Sequence, residues 1–110
     1  MSQLDVTTIL SNMLAAVKTS LASKWPAVQD IATTTFKSLA QNLADIQAMK
    51  KKRTISNEKA ALLVDMQKHA IRIALLSEEG LGLLATEAAI NAALDAVGTT
   101  VNTAVGFALL

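Results

Sequence analysis

Three observations on this sequence predict an all-α chain folded as an antiparallel helical bundle. Apolar residues recur at three- and four-residue steps along most of its length, the helical period. Four glycines and one proline are too few to turn a chain of many short strands. Aromatic residues are limited to Trp25, Phe36 and Phe107, so the core must come from close packing of Ala, Leu, Ile and Val on facing helices.

The spacing predicts a first helix over about residues 4–22, with Leu4, Ile9, Leu10, Met13, Leu14, Val17 and Leu21 on its apolar side. Ser2 or Asp5 supplies the cap. Pro26 is the sharpest punctuation. It disfavours the α region at Trp25 and suits the first turn of a new helix. Ser23, Lys24 and Trp25 are therefore read as a short connector, or as a kink in a longer helix. A second helix follows over about 26–50, carrying Val28, Ile31, Phe36, Leu39, Leu43 and Ile46. Asp30, Thr34, Lys37, Gln41 and Asp45 form its polar stripe.

Four consecutive cations, Lys50 to Arg53, complement the C-terminal dipole of that helix and lead into a turn. The third helix is expected over 56–79, started by Thr54 or Ser56. Leu62, Leu63, Met66, Ala70, Ile73, Ala74 and Leu76 are expected to face inward. Asp65, His69, Arg72 and Glu79 form a polar row. Gly80-Leu81-Gly82 breaks the pattern; if the pair is tolerated, the third and fourth segments form one rod and the bundle has three helices instead of four. The fourth helix, 83–97, is Ala-rich. Glu87, Asn91 and Asp95 recur every four residues as one polar ridge on it. Gly98 is expected to end or bend it, leaving an apolar tail over 99–110.

A length of 110 residues predicts a single domain, 1–110, with enough chain to bury a core unaided. The absence of Cys excludes disulfides and thiol chemistry and fits a reducing compartment. The first residues lack a basic segment followed by an uncharged apolar run, so no signal peptide is expected. The reading places the protein in the cytoplasm or within a particle.

Charge is sparse and uneven. Charged residues make up 17% of the chain against about 25% in an ordinary domain, and 52% is hydrophobic. Each helix thus reads as a narrow polar stripe on a mostly apolar cylinder, more apolar surface than a monomer of this size is expected to bury. The expected outlet is self-association into a homo-oligomer, through Leu83, Ile90, Leu94, Val97 and Val101 on the fourth helix, with another protein as a further possible partner. Glu87, Asn91 and Asp95 would then be a solvent face, or would line an oligomer axis and pair with Arg72 or Lys68. A membrane-active protein inserting the fourth helix and tail is the alternative. The longest charge-free run, Ala96 to Leu110, is 15 residues and contains Thr99, Thr100, Asn102 and Thr103, short of the roughly 18 to 20 apolar residues of a span.

A second alternative is non-specific nucleic-acid binding. From Lys50 to Arg72 seven basic residues stand against Glu58 and Asp65, whereas residues 73–110 hold no Lys or Arg. Lys50, Lys51, Lys52 and Arg53 are candidate anion contacts, but no aromatic lies among them to stack on bases. Chemistry is the least supported class. His69 is the sole histidine and has no nucleophile beside it. Met66 stands where a Glu-x-x-His motif would need its glutamate. No catalytic residue, cofactor or metal site is expected.

Overall fold

The computed structural model of the chain describes residues 4–78 and 80–110. Among these the structure holds no strand and has four α-helices: α1 (Val6–Leu21), α2 (Trp25–Lys51), α3 (Asn57–Leu76) and α4 (Leu83–Val105). The glycine pair does separate α3 from α4, Gly80 taking a left-handed φ of 86°. Short connections make sequential helices antiparallel neighbours. At one end Lys24 Nζ donates to the Gly80 carbonyl at 2.9 Å, joining the α1–α2 and α3–α4 turns. At the other, the Leu4 amide donates to Gln47 Oε1 at 2.6 Å.

Asp5 caps α1, its Oδ1 accepting from the Thr7 and Thr8 amides at 3.0 and 3.4 Å; Ser2 lies outside the described residues. The break after α1 differs from expectation. Trp25 is itself α-helical (φ −55°, ψ −47°) and begins α2 with Pro26 behind it. The chain turns earlier, at Ala22 (φ 51°, ψ −116°), through a 3-10 turn over Ala22–Lys24. A proline in the first helical turn displaces no intrahelical hydrogen bond, and its steric bias against a helical predecessor is a preference that Trp25 overrides here. At the far end Lys50 and Lys51 remain in the last turn of α2. Arg53 adopts φ 58°, and the Thr54 amide returns to the Met49 carbonyl at 2.9 Å. Ser56 caps α3 by accepting from the Lys59 amide at 3.1 Å.

Helix α4 runs eight residues past the expected end. Gly98 does not stop it, because Val97, Val101 and Val105, four apart, are all buried and offset the roughly 1 kcal/mol a helical glycine costs. Gly106, left-handed at φ 85°, is the actual stop. The last residues fold back: the Leu110 amide donates to Asn102 Oδ1 at 2.8 Å, Asn102 Nδ2 donates to the Leu110 carbonyl at 3.2 Å, and Leu109 is buried. Most of the expected tail is therefore helix or a closing strap.

One core runs along the bundle. Ile9, Met13, Val17 and Leu21 of α1 meet Phe36, Leu39, Leu43 and Ile46 of α2, Val64, Ile71 and Leu75 of α3, and Ile90, Val97 and Val101 of α4. Helix α1 packs chiefly on α4 and α2 on α3, while α3 and α4 touch least among the four adjacent pairs. The bundle measures 43 × 22 × 19 Å.

Candidate functional site

Helix α3 has two apolar faces. The inner one holds Ala60, Val64, Ile71 and Leu75, at steps of four, seven and four. The outer one holds Leu62, Met66, Ile73 and Leu76. Instead of entering the core as the sequence predicted, these four are exposed, the first three by more than half of their surface. Ala70 is exposed as well, and Leu63 and Ala74 are only half-buried. At 100° per residue the two sets lie on opposite sides of the helix, so only one of them can meet α2 and α4.

Adding His69 to the outer set gives 62, 66, 69, 73 and 76, the alternating four-and-three spacing of a coiled-coil seam. His69 is exposed at its middle. One flank of the seam is charged. Asp65 stands 3.8 Å from Lys68 Nζ. Arg72 donates through Nε and Nη2 to the two carboxylate oxygens of Glu87 on α4. Those hydrogen bonds hold the Glu87 carboxyl below its usual range, partial burial opposes them, and the charges of Arg72 and Lys68 add to the lowering. The other flank, Leu63, Ala70 and Ser77, is apolar or small. Just past the glycine turn, Leu83 and Leu84 open α4 exposed, Leu84 at 88%.

The oligomer interface expected on α4 is therefore misplaced. Ile90, Val97 and Val101 are buried in the chain's own core, and Leu94 is half-buried against it; of the five, only Leu83 is freely exposed. Helix α4 touches all three other helices, and this absorbs its surplus apolar surface. On its opposite side Asn91 and Asp95 are exposed, as a solvent face requires, while Glu87 turns to Arg72.

The basic turn is partly engaged. Lys50 Nζ donates to Asn57 Oδ1 and lies 5.1 Å from the centre of the Phe107 ring. Lys51, Lys52 and Arg53 are exposed. Beside them, Leu4, Gln47, Lys50, Ala104 and Gly106 line an open hollow of about 240 Å³. Among the described residues no group of His, Cys, Asp and Glu is placed to hold a metal ion, and no helix is long and apolar enough to cross a membrane. Compared with protein families, curated proteins and solved structures, the chain matches none.

Proposed function

We propose that this protein is a non-enzymatic structural or interaction protein, a helical bundle that self-associates through the outer face of α3. The observation that carries this reading is the exposed row Leu62, Met66, Ile73 and Leu76 on α3, with Leu83 and Leu84 also exposed at the start of α4. Together these six side chains expose roughly 600 Å² of apolar surface, at the upper end for the largest patch on a monomer and not far below the 800 Å² or so that each partner contributes to a standard interface. The four on α3 share one side of that helix, with His69 among them and charged residues along one flank, an apolar strip bordered by polar groups as in an interface core and its rim.

The test is the mass of the untagged protein in detergent-free solution, by light scattering behind a sizing column. A discrete multimer that dissociates when Met66 is changed to Glu, with helix content unchanged, is the expected result. A monomer at high micromolar concentration overturns the reading.

A further inference from the structure

From the outer face of α3 we infer that the partner it fits is a second copy of the same helix, running antiparallel about a two-fold axis between Gln67 and Lys68. The inference rests on the self-association reading and adds to it a direction and a register. Helix α3 is 20 residues, about 30 Å long, and its seam spans nearly the whole of it.

Antiparallel seams pair each residue of one type with one of the other across the axis. Here that places Leu62 opposite Ile73 of the second copy and Met66 opposite His69. Each pairing occurs twice because the interface is isologous. The Met66 thioether then lies against the His69 ring, a contact that leaves the ring edge near solvent. Lys59 of the second copy lies over Leu76, its aliphatic stem covering the leucine while its ammonium stays in water.

Charge selects this register. On the charged flank it sets Asp65 against Arg72 of the second copy, again twice. Asp65 is well exposed and held only loosely by Lys68 at 3.8 Å. The Arg72 bonds to Glu87 use Nε and Nη2, which leaves Nη1 for the incoming carboxylate. Sliding by one heptad toward the C-terminus would instead bring Arg72 against its own copy. On the opposite flank Leu63 meets Ala70, an apolar contact that needs no charge. A parallel pair would set Asp65 against Ala70 and Arg72 against Ser77, with no complementary charge.

Because the chain has no cysteine, single-cysteine variants test the geometry directly. Leu62→Cys and Ile73→Cys are prepared separately, one with a short extension so that mixed and like pairs differ in size. Each is checked by circular dichroism and oxidised in a glutathione buffer alone and mixed. Antiparallel pairing cross-links the mixture and leaves each variant alone uncrosslinked, because like positions lie about 16 Å apart along the axis. Asp65→Arg, which opposes arginine to arginine twice, weakens the dimer about tenfold. Leu62→Cys cross-linking to itself would overturn the antiparallel arrangement. A wild-type multimer with no cross-link in any mixture would place the interface on another face, leaving self-association standing and this inference fallen. A monomeric wild type removes both.

Discussion

Arg72 on α3 holds Glu87 on α4 with two points of its guanidinium fork, the second at 3.2 Å. The pair spans the thinnest contact between neighbouring helices of the bundle. A bidentate arginine–carboxylate pair fixes orientation as well as distance, so it sets how α3 is rotated and hence which face it turns outward.

The same pair makes stability depend on pH in a defined direction. Arg72 remains cationic, its own pKa raised by the hydrogen bond to Glu87. The Glu87 carboxyl is lowered, so its contribution is present above the ordinary glutamate value of about 4.3 and is lost as the pH falls through the lowered folded-state value. Glu87→Gln is expected to lower the melting temperature at neutral pH. The difference from the wild type should close in strong acid, where both side chains are neutral. A gap that persists unchanged to acid pH would show that the charge is not what matters.

Two backbone positions call for opposite substitutions. Ala22 sits at φ 51°, ψ −116°, a region that costs a side chain about 1 to 3 kcal/mol and glycine almost nothing. Gly98 lies inside α4 with open space where a Cβ would stand. Ala22→Gly and Gly98→Ala should each stabilise the chain by about 1 kcal/mol, read from urea midpoints at unchanged slope. Destabilisation by Ala22→Gly would mean that the turn after α1 is not built as described.

The fold was legible in the sequence wherever a helix had one apolar side. In α1, Ile9, Met13, Val17 and Leu21 are all buried as the spacing demanded, and in α2 so are Val28, Phe36, Leu39, Leu43 and Ile46. It was not legible in α3, whose apolar residues occupy two opposite sides. Periodicity then gives the helix but not its rotation, and the 62–76 row, with its larger side chains, is the more apolar of the two faces. The inner face uses Ala60 and Val64, small enough to let the helices approach. The Arg72–Glu87 pair was the available signal for that rotation, since it places Arg72 beside α4 and turns Met66 and Ile73 away. On α4 the apolar excess was real, but its destination was the chain's own core.

Phe36 tests how much that core depends on one ring. It is fully buried and the largest side chain so enclosed. With so few aromatics, nothing nearby can expand to fill its place. Phe36→Ala should cost about 3 to 5 kcal/mol, a large part of the 5 to 15 kcal/mol that a domain typically has. Thermal melting of the variant should be shifted far below the wild type.

Thr86 is fully buried, and its hydroxyl has no hydrogen-bond partner among the described residues. Valine keeps the shape and removes the unsatisfied group. Thr86→Val should therefore be neutral or stabilising by about 1 kcal/mol. A clear loss of stability would mean that the hydroxyl has a partner after all, such as a buried water.

The two faces of α3 can be separated by a pair of substitutions two residues apart. Ile71 is completely buried, whereas Ile73 is 57% exposed. Ile71→Glu places an unpaired carboxylate in the core, where the desolvation penalty alone is several kcal/mol, and should abolish cooperative folding. Ile73→Glu places the same carboxylate in water and should leave helix content and melting of the isolated bundle nearly unchanged. Its effect should appear only in the measured mass, which falls to that of a single chain if the outer face is the interface. Equal unfolding by both substitutions would show that α3 is rotated differently, and that Leu62, Met66 and Ile73 belong to the core that their spacing first suggested.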